Sequence, residues 1–158
     1  MTPEQELVED LLDQLDRIAR GTAEDREVLG DAPPTVDAFE TMPPIARTAS
    51  KALLKGFEQY VDTLQRVIRT ELRLTGHRLK GMTPLDVANK AEELDQVAGA
   101  HAFLDLIKLR NELAHEYPDD AETRFMRFSR ALAGFALLDD ASARVRRFAT
   151  TRLPWSDQ

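Results

Sequence analysis

Apolar residues recur at helical spacing along almost the whole chain. The first such segment carries a stripe formed by Leu7, Leu11, Leu15 and Ile18. Thr2 followed by Pro3 predicts the start of this helix, because threonine caps a first turn well and proline is tolerated at its first position. We expect the helix to end at Gly21, since glycine is common at helix ends.

A proline-rich segment separates this helix from the next periodic stretch. Residues 28–45 contain four prolines, which favours a loop with at most a short helical turn. Apolar positions from Ala46 to Leu72 then predict an amphipathic helix of roughly 25 residues that ends before Gly76.

The second half of the chain predicts three more helices. Thr83 begins one that we expect to run to about Val97 and to break at Gly99. Residues 100–115 form the next, which ends before Pro118 because the residue preceding a proline is disfavoured in the helical conformation. The two aspartates that follow this proline offer a cap for the last helix.

The last helix has a phenylalanine-rich stripe and one candidate break. The break lies at the pair Asp139 and Asp140, after which the apolar pattern continues. No alternation of period two extends over a useful length, so we expect no sheet. Residues 1–158 are therefore predicted to form one all-α domain, a bundle of about five helices.

Composition excludes several classes of function. The chain has no cysteine, which rules out disulfides, zinc–thiolate sites and thiol nucleophiles. No apolar run approaches the roughly 20 residues of a membrane-spanning helix. The acidic N-terminus does not resemble a secretory or transit signal, so we expect a cytoplasmic protein without a membrane partner.

The net charge of −7 is spread unevenly. Residues 1–40 carry three basic and twelve acidic residues, a balance of −9, whereas residues 41–158 carry eighteen basic and sixteen acidic residues, a balance of +2. Overall acidity argues against a nucleic-acid ligand. Its concentration at one end of the chain weakens that argument.

One pair of residues has the spacing of half a metal site. His101 and Asp105 are four residues apart on a predicted helix and so share a face. No second cluster of ligands completes a coordination shell, which favours a surface pair. We expect no metal and no cofactor.

The segment at the end of the helix over 100–115 has residues suited to phosphate chemistry. It contains Arg110, Asn111, His115 and Tyr117 within eight positions. Arginine offers a planar fork that matches phosphate oxygens, and histidine can take or give a proton near neutral pH. These residues suggest metal-independent attack of an RNA 2′-hydroxyl on the adjacent phosphate, with Arg110 stabilising the developing charge.

Helical geometry limits how these residues could act together. Arg110 and His115 are five positions apart, which places them about 140° apart around a helix axis. A two-fold homodimer could bring the arginine of one protomer toward the histidine of the other. A purely structural role is the alternative, because arginine and histidine near a helix C-terminus interact favourably with its dipole.

The last helix carries arginines beside its apolar stripe. Arg124, Arg127 and Arg130 are candidates for binding RNA phosphates. A solvated charged face without a ligand is the alternative.

Together these residues resemble the signature of HEPN domains, and more narrowly that of the HepT branch. The matching positions are Arg110-Asn111, three further residues, and His115-Glu116-Tyr117-Pro118-Asp119-Asp120. The stretch from Met82 to Glu92 is also similar to the helix that precedes the motif in this family. The resemblance covers roughly residues 50–140. It implies a HEPN-like up-and-down bundle over residues 46–150, preceded by an acidic helix and a proline-rich loop over residues 1–45.

The resemblance implies a specific activity and specific partners. HepT proteins are dimers with a composite cleft at their interface, and many are metal-independent ribonuclease toxins. A minimal nucleotidyltransferase encoded beside them acts as the antitoxin, in studied cases by adding AMP to the motif tyrosine. Arg110 and His115 would then be catalytic, Asn111 would orient them, and Tyr117 would be the modified residue.

Three hypotheses of function remain open. The first is a ribonuclease toxin of a toxin–antitoxin pair. The second is a non-catalytic helical subunit that binds nucleotide or substrate for a nucleotidyltransferase, an idea favoured by Glu112 and Glu116, whose carboxylates would repel RNA. The third is an unrelated helical interaction module in which the motif is structural.

Overall fold

The computed structural model describes residues 1–115 and 117–156, and these residues form α-helices and no strand. The helices are α1 (Pro3–Leu29), α2 (Val36–Glu40), α3 (Pro44–Leu74), α4 (Pro84–Glu93), α5 (Ala100–Ala114) and α6 (Ala121–Thr151). The predicted all-α class is confirmed, and the short α2 raises the number of described helices to six. None of the described helices is both long enough and apolar enough to cross a membrane.

The predicted helix starts are confirmed by their capping contacts. Thr2 and Thr83 each accept a hydrogen bond from the backbone N–H three residues later, and the side chain at that position bonds back to the threonine N–H. Asp120 caps α6 by accepting from the backbone N–H groups of Glu122 and Thr123. Local chemistry is sufficient to start these helices, which is why the sequence identifies them.

The predicted end of the first helix at Gly21 is wrong. Helix α1 continues to Leu29 and ends at Gly30, whose φ of 73° is accessible mainly to glycine. Tertiary contacts explain the continuation. Thr22 is buried against Gly56 of α3, where an added Cβ would lie only 2.6 Å from the threonine methyl carbon. The two helices therefore approach closely just where the first was expected to stop.

The candidate break in the last helix is also wrong, because both aspartates are held by other side chains. Asp139 accepts hydrogen bonds from the Tyr60 hydroxyl at 2.6 Å and from Arg26 at 3.2 Å. Asp140 accepts from Arg144, one turn later in the same helix, at 2.8 Å. Burial and the neighbouring Asp139 raise the pKa of Tyr60, so its hydroxyl remains a donor. These contacts stabilise a continuous α6.

Helices α3 and α4 differ in length from the expectation. Helix α3 has 31 residues, because it begins at Pro44 rather than at Ala46 and continues to Leu74. Helix α4 stops at Glu93 rather than near Val97, because Asp95 adopts a φ of 67° and the Gln96 N–H closes the turn on the Ala91 carbonyl at 2.8 Å. This turn directs the Gln96 side chain into the protein interior.

A single hydrophobic cluster joins α1, α3, α4, α5 and α6. Its fully buried members include Leu15 of α1, Phe57 of α3 and Phe135 of α6. The N-terminal helix is thus part of the same core as the predicted HEPN-like segment, although Leu7 of its predicted stripe is 46% exposed. Helix α5 packs against α3, α4 and α6, which places its C-terminal end beside α3 and the start of α6.

Candidate functional site

The motif lies where α5 ends, as the sequence predicts. The helix stops at Ala114, and His115 forms its C-terminal cap with its N–H donating to the Glu112 carbonyl at 3.3 Å. The side chains of Asn111 and His115 are both exposed. A phosphate ester in solvent could therefore reach them without a rearrangement of the core.

Arg110 points toward α3 and contacts an aspartate there. Its Nη2 donates a hydrogen bond to Asp62 Oδ2 at 2.8 Å, and its Nε lies 2.7 Å from Asp62 Oδ1. The hydrogen bond and the charge of Asp62 raise the pKa of Arg110, with a further contribution from Glu58, so the guanidinium stays charged. Within the described residues, no hydrogen bond joins Arg110 to His115.

Arg124 holds the segment that follows the motif. Its Nη1 donates to the carbonyls of Pro118 and Asp119 at 2.9 and 2.8 Å, and its Nη2 donates to Glu40 at 3.1 Å. Its guanidinium carbon also lies 5.5 Å from the centre of the Tyr117 ring, within cation–π range. The sequence suggested that Arg124 binds RNA. In the structure its hydrogen bonds connect the loop after α5 to the end of α2.

The two other arginines of the predicted RNA-binding set share one carboxylate. Arg130 Nη1 lies 3.1 Å and Arg127 Nε lies 3.8 Å from Glu112 Oε2. Glu112 is therefore flanked by two positive charges, which offset its repulsion of an anionic ligand. The longer of these contacts leaves Arg127 only weakly engaged.

A half-open pocket of about 220 Å³ adjoins the motif. Its walls come from α2, α3, the end of α5 with the segment that follows it, and the start of α6. Its lining residues are Phe39, Leu54, Lys55, Glu58, Leu113, Tyr117, Pro118, Arg124 and Arg127. Most of the lining is apolar, and three of its four charged side chains are basic. Pockets with an apolar lining and a few polar groups are typical of ligand sites.

Tyr117 lies at this pocket and is 76% exposed. Its hydroxyl is thus accessible to a modifying enzyme, whereas the neighbouring Glu116 lies outside the described residues. Leu113 also lines the pocket, so residues two positions before and two positions after His115 both contribute to it.

Sequence reasoning missed the contribution of α3 to this site. Glu58 and Asp62 are four residues apart and so share one face of that helix. Their spacing was visible in the sequence, but an acidic pair on a helix is common. Only the packing of α3 beside α5 shows that these two acidic residues lie next to the motif.

Within the described part of the chain, the pair His101 and Asp105 gains no further metal ligands. Among residues 1–115 and 117–156, no three or more histidine, aspartate or glutamate side chains group in a way that could hold a metal ion. None of the protein-family models, curated proteins or solved structures compared with the chain matches it. The interpretation of the site therefore rests on the motif and its surroundings.

Proposed function

We propose that this chain is a HepT-like toxin of a toxin–antitoxin pair, acting in the cytoplasm as a metal-independent ribonuclease. The observation that carries the proposal is the exposed end of α5, where Asn111 and His115 face solvent next to a pocket with three basic side chains in its lining. An exposed histidine beside positive charge suits general acid–base chemistry on a phosphate diester.

The proposed reaction needs only groups that the chain and the RNA supply. The 2′-oxygen attacks the adjacent phosphorus, and its proton passes to His115. The bond from phosphorus to the 5′-oxygen breaks, which leaves a 2′,3′-cyclic phosphate, and the 5′-oxygen takes up the proton that His115 accepted. Arg110 stabilises the charge that develops on the phosphate, and Asn111 orients the reacting groups.

The proposed site is completed by a second copy of the chain. Within one chain Arg110 is directed to Asp62 on α3, whereas His115 is exposed at the helix end. A two-fold homodimer with residues 100–118 at or beside its interface would bring Arg110 of one protomer toward His115 of the other. The phosphate then competes with Asp62 for the guanidinium.

The proposed antitoxin is a minimal nucleotidyltransferase that modifies Tyr117. The exposure of this side chain at the pocket supports the assignment. A nucleotide attached there would place a bulky anion where the RNA phosphate must bind, which would block the site by sterics and by charge repulsion.

One observation favours a second candidate function, a non-catalytic subunit that binds nucleotide or substrate for a nucleotidyltransferase. The guanidinium of Arg110 already contacts both carboxylate oxygens of Asp62. An arginine paired in this way can serve to fix α5 against α3 rather than to bind a phosphate.

Purified protein is expected to cleave RNA in the presence of EDTA, because the proposed mechanism requires no metal ion. The measurement is the release of short fragments from a labelled single-stranded RNA, with heat-treated protein as the control. Cleavage that is abolished by EDTA and restored by magnesium would overturn this mechanism. Absence of cleavage under all conditions would favour the non-catalytic subunit.

The variant Tyr117→Phe is expected to retain cleavage and to lose modification by the partner nucleotidyltransferase. The substitution removes the hydroxyl that accepts the nucleotide and leaves the exposed ring in place. Intact-protein mass spectrometry after incubation with the partner and ATP measures the added nucleotide. If the variant is still modified in the segment around position 117, the residue that accepts the nucleotide is not Tyr117.

A further inference from the structure

The pocket beside the motif combines three features that together suit a nucleobase. Its apolar walls include the aromatic rings of Phe39 and Tyr117. Lys55 and Arg127 bring positive charge to the lining, and Glu58 brings one carboxylate. Unpaired RNA bases are commonly bound in this way, by stacking on aromatic rings and by hydrogen bonds to their polar edges.

Two of the charged groups are available for a ligand. In the described part of the chain, neither Lys55 nor Glu58 forms an ion pair or a side-chain hydrogen bond, and Glu58 is half-buried. Among the residues that the structure describes, Arg127 has only its 3.8 Å ion-pair contact with Glu112. Arg124, by contrast, is committed to two carbonyl groups and to Glu40, so it shapes the pocket rather than binds in it.

The pocket has neighbours of the proposed reaction site in its lining on two sides. Leu113 and Tyr117 connect it to the His115 end of α5. Glu58 lies one helical turn before Asp62, the partner of Arg110, and its charge acts on that guanidinium. A base bound here therefore lies next to the phosphate that the motif would attack.

We propose that this pocket binds one unpaired base of the RNA and that Glu58 selects a base with an exocyclic amino group, such as cytosine. The inference rests on the proposed ribonuclease function and assigns its substrate as single-stranded RNA. A carboxylate accepts a hydrogen bond from the N4 amino group of cytosine, whereas the corresponding position of uracil is a carbonyl oxygen that the carboxylate repels. Lys55 and Arg127 neutralise the adjoining phosphates without reading the sequence.

The test measures binding rather than cleavage. The full-length protein is titrated into short, fluorescently labelled 2′-O-methyl oligonucleotides of cytidine or uridine, which lack the nucleophile and cannot be cut. We expect the wild type to bind the cytidine strand about tenfold more tightly, the effect of one good hydrogen-bonding pair. Glu58→Gln should remove this preference, because an amide can both accept from cytosine and donate to uracil.

Matched variants separate base selection from charge. Glu27→Gln makes the same change of charge at an exposed position of α1 and should leave the preference intact. Lys55→Ala should weaken binding of both strands by the same factor, whereas Lys80→Ala, an exposed lysine outside the pocket, should not. Thermal melts check that each variant is folded.

Several outcomes would overturn the inference. They are equal affinity of the wild type for the two strands, loss of the preference in Glu27→Gln, and equally tight binding of free cytidine monophosphate, which would make the pocket a mononucleotide site. Cleavage of RNA without a base preference in binding would refute this inference alone. A preference in binding without cleavage would refute the ribonuclease proposal and leave the base site standing.

Discussion

The variant His115→Ala is expected to lose about 10²–10⁴-fold in the rate of RNA cleavage, the usual contribution of a general acid or base. Its fold should remain intact, because the side chain is exposed at the end of α5. The measurements are the cleavage rate at saturating RNA and the midpoint of thermal unfolding. A variant that cleaves like the wild type would remove His115 from the mechanism.

Arg110→Ala should lower the cleavage rate to a similar degree by removing the charge that stabilises the transition state. This variant also leaves Asp62 without its partner, so we expect a modest loss of stability in addition. Arg110→Lys should restore little activity, since a point charge does not reproduce the two-point contact of a guanidinium. If Arg110→Lys cleaves RNA nearly as fast as the wild type, the planar shape of the guanidinium is not needed for catalysis.

Mixing the two inactive variants tests whether the site is shared between protomers. If Arg110 of one chain acts with His115 of the other, a heterodimer of Arg110→Ala and His115→Ala retains one complete site and regains activity. Light scattering should show a homodimer for each parent protein. A monomer at high micromolar concentration, or no activity after mixing, would contradict the composite site.

A structural role of the motif makes a different prediction for the same proteins. Both single variants would then lose thermal stability, and mixing would restore nothing. The non-catalytic subunit predicts no cleavage by any of the proteins, including the wild type. The set of measurements therefore distinguishes the three hypotheses that the sequence leaves open.

The sequence identified the helices where local chemistry determines them. Thr2, Thr83 and Asp120 start their helices through side-chain contacts within three residues. Two of the wrong predictions, at Gly21 and at the pair Asp139 and Asp140, have a common cause. In both places the helix continues because α3 packs against it, with the backbone of Gly56 close to α1 and the Tyr60 hydroxyl bonded to Asp139 of α6.

The same distinction applies to the candidate site. Arg110, Asn111, His115 and Tyr117 were found because they form a compact motif in the sequence. The contact of Arg110 with Asp62 spans 48 residues, and that of Arg130 with Glu112 spans 18. Neither follows from a local pattern, because each depends on which helices pack side by side. The pocket likewise could not be predicted from any single segment, because four parts of the chain form its walls.

A buried acid–amide pair joins α3 to the turn after α4. Glu71 and Gln96 are both fully buried, and Gln96 Nε2 donates to Glu71 Oε1 at 3.1 Å. In the described part of the chain, Glu71 Oε2 and Gln96 Oε1 have no hydrogen-bond partner. A proton on Glu71 Oε2 turns that atom into a donor, whereas the ionised carboxylate would leave a buried negative charge with one hydrogen bond from Gln96. The neutral acid is therefore the form that suits this site.

The free energy of unfolding is expected to fall as the pH rises from about 4.5 to about 8. Burial raises the pKa of Glu71 from 4.5 to about 8, so in this range the folded protein holds a proton that the unfolded chain has released. Stability decreases with pH wherever the folded state binds more protons, here by up to about 1.4 kcal/mol per pH unit. Urea unfolding at several pH values measures the slope.

Glu71→Gln, which stays neutral, should lack this contribution, whereas Glu24→Gln on the exposed surface of α1 should retain it. Parallel pH profiles of the wild type and Glu71→Gln would show that Glu71 is ionised in the folded protein.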